Sequence, residues 1–310
     1  MIREQKTTVD YLTFRTQAHP ETCLEVMRAL FGEMGPSLRL ERLRHGKDGW
    51  REGANVMLSQ MRVGRLDHGG DAMRGWSRIQ MEGKGCSWVQ DWDAIEGLEA
   101  LPEAEIRRFD AALTTWCAEV SHDMVVEAHA LGRFTTGGRP PNLEQRTHSQ
   151  LSKGRTCSIG DRASDKFGRF YEKGYELLSH FPESVRETVQ EIQGFPVSGI
   201  YRSEIEFKSK TRPIPWEVIE GRDQYFCGAY PFCADILPGV EADILQRRPE
   251  RAAQADMSAA LANCRQAYGK ILYTALMAYQ GDISAVWDRI VGDEHSQALL
   301  ESGVLLVDHY

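Results

Sequence analysis

At 310 residues and 35.1 kDa, the chain has room for one large domain or two small ones. Its 42% hydrophobic and 9% aromatic content excludes a disordered chain, and no apolar run approaches the ~18 residues that a membrane-spanning helix needs. A net charge of -8 excludes a protein coated in positive charge, so any surface for nucleic acid must be local.

VDYLTFRT (9–16) reads as a strand with Val9, Tyr11 and Phe14 among its apolar positions. HPETCLEVMRALFGEM (19–34) reads as one helix, with Pro20 near its start and Cys23, Leu24, Met27, Leu30 and Phe31 at helical spacing. Residues 45–92 are glycine-rich with short apolar runs, the pattern of strands joined by turns. Trp50, Trp76 and Trp88 in and around this region suit a core first and a base-stacking surface second. IRRFDAALTT (106–115) is a further strand, and SHDMVVEAHALG (121–132) a helix stopped by Gly132. TTGGRPPN is a loop by composition. GRTCSIG, DKFGRFYEKG and SGIYRSEIEFK follow as strands, with a helix in YELLSHF or PESVRETVQEI before the last. After about residue 238 the pattern is helical, 252–279 being the longest stretch.

The expected fold is therefore α+β: a mostly antiparallel central sheet flanked by helices, with a helical C-terminal extension. Residues 1–105 form the N-terminal portion, 106–240 the chemistry-bearing core of the same unit, and 241–310 the extension. The seven cysteines lack CxxC or zinc-type spacing, as expected of reduced thiols. MIREQKTTVDYLTF has no apolar h-region or small-residue cleavage site, which predicts a cytoplasmic protein.

Between Arg133 and Lys173, nine basic residues face four acids, a local excess of +5. Such a tract is either a solvated basic face or a phosphate-binding surface. Arg155, Arg162 and Lys166 within it are candidate DNA contacts, as are Arg202 and Lys208 further on. Residues two apart on a strand share a face, so Arg202, Glu204, Glu206 and Lys208 line up together. Carboxylates at that spacing can converge on a hard cation, although an exposed strand of alternating charge has the same pattern. Arg108, Asp110, Ala112 and Thr114 share a face, where Asp110 is either a third oxygen ligand or an arginine partner. Phe167, Arg169, Tyr171 and Lys173 also share a face by alternation, so two cations flank a phenol. Nearby positive charge favours a phenolate nucleophile, although a strand tyrosine with a cation-π neighbour is common.

GRTCSIGDRASDKFGRFYEKGYE (154–176), RFD (108–110) and YRSEIEFK (201–208) together resemble the trans-acting replication initiation factor family of filamentous phages, rolling-circle plasmids and related relaxases. HDMVVEAHALGRFTTGGRPP and DQYFCGAYPFCADIL look like further segments of the filamentous-phage branch, so the likeness spans roughly residues 8–240. The resemblance implies an HUH-like nicking fold without the paired-histidine metal site, and the chain has no His-x-His pair. It implies that Tyr171 is the nucleophile and that Arg169 and Lys173 hold the scissile phosphate. Asp110, Glu204 and Glu206 would bind Mg²⁺ or Mn²⁺. Tyr175 is the competing nucleophile. The implied partners are double-stranded origin DNA and its exposed single strand, with host helicase and polymerase. The C-terminal helices are candidates for dimerisation. Thr114 stands where the family often has a second aspartate, Cys157 and Ser158 where an aromatic is common, and Asp161 where a small residue is usual. A catalytically weak origin-binding regulator of the same fold is the alternative that Thr114 raises.

Overall fold

The computed structural model describes residues 5–70, 73–148, 153–246 and 249–301. The chain divides into two compact units, Met1–Leu245 and Gln246–Tyr310.

The first unit begins with β1 (Thr8–Thr16), in which Leu12 and Phe14 are completely buried on one face while Tyr11 and Arg15 lie on the other. Helix α1 (Pro20–Met27) starts where the His19 side chain accepts a bond from the Glu21 N–H and Pro20 sets the first turn. Its apolar stripe buries Cys23, Leu24 and Met27. The single helix expected over 19–34 is corrected here. The α-helix stops at Met27, and the chain continues as 3-10 turns over Arg28–Ser37 that kink at Gly32, where φ is 50°. A meander follows: β2 (Leu38–Leu43), β3 (Glu52–Leu58), β4 (Met61–His68) and β5 (Ser77–Met81). Short helices α2 (Gly83–Cys86) and α3 (Glu96–Glu99) lead to β6 (Glu105–Thr115).

The second half of this unit repeats the plan. Helix α4 (His122–Ala130), capped by Ser121, precedes strands β7 (Leu143–Thr147), β8 (Arg155–Ile159) and β9 (Lys166–Tyr171). Helices α5 (Lys173–Leu178) and α6 (Glu183–Arg186) and the small hairpin β10 (Glu191–Ile192) and β11 (Phe195–Pro196) intervene before β12 (Tyr201–Lys208). Helices α7 (Arg222–Ala229) and α8 (Pro231–Ile236) close the unit. Buried Asp223 of α7 accepts bonds from the Lys6 and Thr7 amides, pinning the start of β1.

All ten principal strands join in one antiparallel sheet, ordered β2-β3-β4-β5-β1-β6-β12-β9-β8-β7. Read outward from the central β1–β6 pair, the two sides match: strand, helix, then a meander whose last strand returns beside the first. The registers match too. Gln80 bridges Thr13 and Arg65 as Glu204 bridges Ala112 and Arg169, and Arg78 bridges Arg15 and Asp67 as Arg202 bridges Thr114 and Tyr171. The sequence carries no visible trace of this repeat.

One face of the sheet packs into a continuous core with Leu12, Phe14, Ile79, Phe109, Phe170 and Ile205, sealed by α1, α4, α7 and α8 residues. The other face is largely polar. In the second unit, α9 (Pro249–Ala278) is followed by α10 (Ile283–Ile290) and α11 (Gln297–Glu301), with Asp282 capping α10 and Val286 buried. No helix among the described residues is long and apolar enough to cross a membrane.

Gly174, three residues past Tyr171, allows the chain to pass the Val197 carbonyl; a Cβ there would meet that oxygen at 1.9 Å. Gly174→Ala is expected to cost about 1 to 3 kcal/mol by overpacking, read as a lowered midpoint in urea unfolding; an unchanged midpoint contradicts the close approach.

Candidate active site

Strand alternation and register bring the polar residues of three strands onto one face. Across β6, β12 and β9, Asp110 opposes Glu206, Glu204 opposes Arg169, and Arg202 opposes both Thr114 and Tyr171. Asp110, Glu204 and Glu206 are nearly sealed from solvent, at 1%, 4% and 4% relative exposure. Burying three carboxylates is costly unless each is paired, and here each is. The Arg108 fork donates to Asp110 at 2.8 and 2.5 Å and reaches Glu206 at 2.9 Å. Lys208 pairs with Glu206. Arg169 donates to both Glu204 oxygens, at 2.9 and 2.8 Å. The buried Arg169 Nε has no hydrogen-bond partner among the described residues.

Burial pushes Asp110 up to about 7; Arg108 pulls it down, and the Glu204 and Glu206 charges push it up again. Glu204 is raised by burial against the pull of Arg169. At Asp110 and Glu204 burial thus outweighs the bases beside them. Three buried carboxylates on one sheet face supply oxygen donors of the kind that suit a hard cation such as Mg²⁺ or Mn²⁺. Among the described residues, however, no three His, Cys, Asp or Glu side chains converge as a ready cage. Each acid is turned to a base instead of to a common point.

Tyr171 ends β9 on this face. Arg169 and Lys173 lie over its ring at 5.1 and 5.7 Å. Burial and then the Glu204 charge hold its phenol well above the ordinary tyrosine range, and the opposing pull of Arg202 and Arg169 is smaller. The expectation that flanking cations favour the phenolate is corrected accordingly: desolvation outweighs them. Burial alone would raise Glu176, but hydrogen bonding from Lys173 and then from the Tyr171 hydroxyl keeps it below the usual carboxylate range. Lys173 is not on the strand face, as alternation had it. It is the first residue of α5, and its amine pairs with Glu176 at 2.7 Å. Tyr175, the competing nucleophile, packs in α5 against a separate apolar cluster of Leu178, Ile192, Val197 and Ile200.

The DNA-contact candidates are dispersed. Arg202 lies on the acid face, donating to Thr114 Oγ1 at 3.0 Å and to Asp10 at 2.8 Å. Lys208 is on it as well, shared between Glu206 and the Arg162 carbonyl. Arg162 itself covers the Phe167 ring at 4.8 Å. Arg155 alternates away from Tyr171 and is held by Glu172 and Asp123. Lys166 is turned to the core face. It donates to the Ala229 carbonyl and sits over the Tyr230 ring, and burial lowers it to about 8. The sequence reading missed Asp10, which a register shift between Val9 and Tyr11 brings to Arg202, and Glu176. It also missed Tyr11, whose ring carries Arg108 at 4.1 Å. The alternation of VDYLTFRT signalled the outward-facing Tyr11, but nothing local signalled the other two.

A family model described as replication initiation factor matches residues 104–258, half of the chain, including β6, β9 and β12 of this site. The chain belongs to the replication initiation factor family. No curated protein matches this family member. Among solved structures it is similar to one described as a rolling circle replication initiator protein from Geobacillus stearothermophilus, at 17% identity and a TM-score of 0.53. That likeness covers 78% of this chain and 99% of the other, and shows a shared fold.

Because the folded pKa of Asp110 is raised, its ionisation opposes folding. The penalty is absent below about pH 4, grows as pH rises towards about 7 and is full above it. In a pH series of urea unfolding without added metal, Asp110→Asn is expected to gain stability relative to the native chain as pH rises from 4 to 8; a constant difference contradicts the shift.

Proposed function

We propose that the chain initiates rolling-circle replication by nicking one strand of an origin, with Tyr171 as the nucleophile. The observation that carries this reading is the Tyr171 phenol on the same sheet face as three buried carboxylates and the Arg169 and Arg202 guanidiniums. The phenol oxygen attacks the scissile phosphorus and the bond to the 3′ oxygen breaks. The products are a 5′-phosphotyrosine and a free 3′-hydroxyl. The leaving oxygen takes a proton as the phenol loses one, so the bond energy is kept for rejoining.

The unpartnered Arg169 Nε and the Arg202 guanidinium are suited to a phosphate oxygen between them and the phenol. Lys173 holds Glu176 beside the hydroxyl, where that carboxylate orients the O–H. Mg²⁺ or Mn²⁺ bound by Asp110, Glu204 and Glu206 would supply Lewis-acid stabilisation of the phosphate. Their bases must then swing aside, and the two outermost, Arg108 and Arg169, have partly exposed side chains. In this reading the 3′-hydroxyl serves host polymerase in the cytoplasm, and a host helicase opens the duplex. The pairing of every acid with a base also supports a second reading, a protein that binds an origin without cutting it.

The two readings separate on a denaturing gel. With a supercoiled origin plasmid and Mg²⁺ or Mn²⁺, the native chain and Tyr175→Phe are expected to give a DNA adduct that survives SDS, and Tyr171→Phe none. An adduct from Tyr171→Phe contradicts the assignment; none from the native chain favours the binding-only reading. Glu204→Gln is expected to slow adduct formation about a hundredfold or more, measured in single turnover with metal in excess.

A further inference from the structure

The N-terminal half of the sheet repeats the plan of the catalytic half but carries different chemistry on the same polar face. At the place of Tyr171 stands Asp67, at the place of Glu204 stands Gln80, and at the places of Arg169 and Arg202 stand Arg65 and Arg78. Among the described residues, no tyrosine stands at the place of Tyr171 and no carboxylate cluster remains there, so this half is not a second copy of the proposed nicking site.

Its arginines are fixed in place. Asp67 is wholly buried and accepts from Arg65 at 2.8 and 2.9 Å, from Arg78 at 2.8 Å and from the Lys47 amide at 3.0 Å. Burial would raise that carboxylate, but these donors hold it below its ordinary value. Arg78, held in this way, lies over the Trp50 ring at 5.4 Å. Its cross-strand neighbour Arg15, paired to Glu105 at 2.9 Å, lies over the Trp76 ring at 4.4 Å. Both indoles are half-buried rather than core. Their loops are tied together by the Arg51 amide on the Gly69 carbonyl and the Gly69 amide on the Trp76 carbonyl.

Two residues along the strands from Arg78 and Arg15, which back the indoles, a continuous polar row crosses the sheet. On that row Asn55, Arg65, Gln80, Thr13, Arg108 and Lys208 follow one another strand by strand towards the carboxylates. At roughly 4.8 Å per strand, the row spans about 24 Å, the reach of several unpaired nucleotides.

We propose that Trp50 and Trp76, backed by Arg78 and Arg15, form a stacking platform for the bases of the single strand that leads away from Tyr171. The proposal rests on the nicking reading for the direction of the strand but not for the platform itself. Single-stranded DNA is the ligand because the arginines here already carry carboxylate partners. What they leave for a ligand is flat aromatic surface rather than unspent charge, and unpaired bases offer a matching face. Removing an indole should therefore weaken binding without changing its salt dependence, whereas removing a phosphate contact would lower the salt slope.

The test uses the full chain carrying Tyr171→Phe, which blocks covalent capture, and a fluorescent oligothymidylate. Trp50→Leu and Trp76→Leu are each expected to weaken binding about tenfold. The salt slope and melting temperature should stay as in the parent, and Trp→Phe at either position should restore most of the affinity. Unchanged affinity in both Leu variants, or a reduced salt slope, overturns the platform. Photo-crosslinking of a 5-iododeoxyuridine-substituted oligothymidylate to the native chain needs no variant to fold. Crosslinks at Trp50 or Trp76 support the proposal, and crosslinks confined to other residues overturn it. The nicking reading fails separately: a native chain that binds the oligomer through the indoles but forms no adduct on a pre-opened origin sinks the nickase and leaves the platform standing.

Discussion

Three carboxylates held almost out of solvent on the polar face of a sheet must be neutralised, and the residues that neutralise them set the arrangement of the site. Asp110, Glu204 and Glu206 hold Arg108, Arg169 and Lys208 in place, and Arg169 in turn lies over the Tyr171 ring. At Asp110 burial outweighs the pull of Arg108 and pushes the carboxyl up to about 7. Burial first, and the Glu204 charge second, hold the Tyr171 phenol well above the ordinary tyrosine range.

The duplicated topology explains how one sheet can carry two different polar sites. A central antiparallel pair, β1 and β6, leaves each half with an equivalent inner strand, β5 or β12, and an equivalent next strand, β4 or β9. Equivalent positions then receive different residues: Tyr171 against Asp67, Glu204 against Gln80. In the half that carries Tyr171, burial outweighs the bases beside Asp110 and Glu204. In the N-terminal half the buried Asp67 gathers donors from Arg65, Arg78 and Lys47, and Arg78 and Arg15, each already paired with a carboxylate, lie over indoles. The polar row across the strands joins the two without a loop between them.

Much of the site was legible from sequence because strand alternation is a local rule. RFD, KFGRFY and YRSEIEF place Asp110, Arg169, Tyr171, Glu204 and Glu206 on faces that the registers then bring together. The same rule, applied strictly, already turns Lys166 and Arg155 away from Tyr171; grouping them by charge alone obscured that. Lys173 escaped because the strand ends at Tyr171 and helical geometry takes over. Asp10 was invisible because its role depends on a register shift and on a strand distant in sequence. The repeat was invisible because topology is preserved where side chains are not. Edge strand β7 (Leu143–Thr147), with four exposed residues among its five, has no hydrophobic pattern to announce it.

The central claim is that the phenol at the end of β9 becomes covalently attached to DNA. Tandem mass spectrometry of the nuclease-trimmed, protease-digested adduct reads this directly. The account predicts a nucleotide phosphate on Tyr171 in the peptide that contains GRFYEK; the same mass on Tyr175, or on any residue away from the acid face, would contradict it.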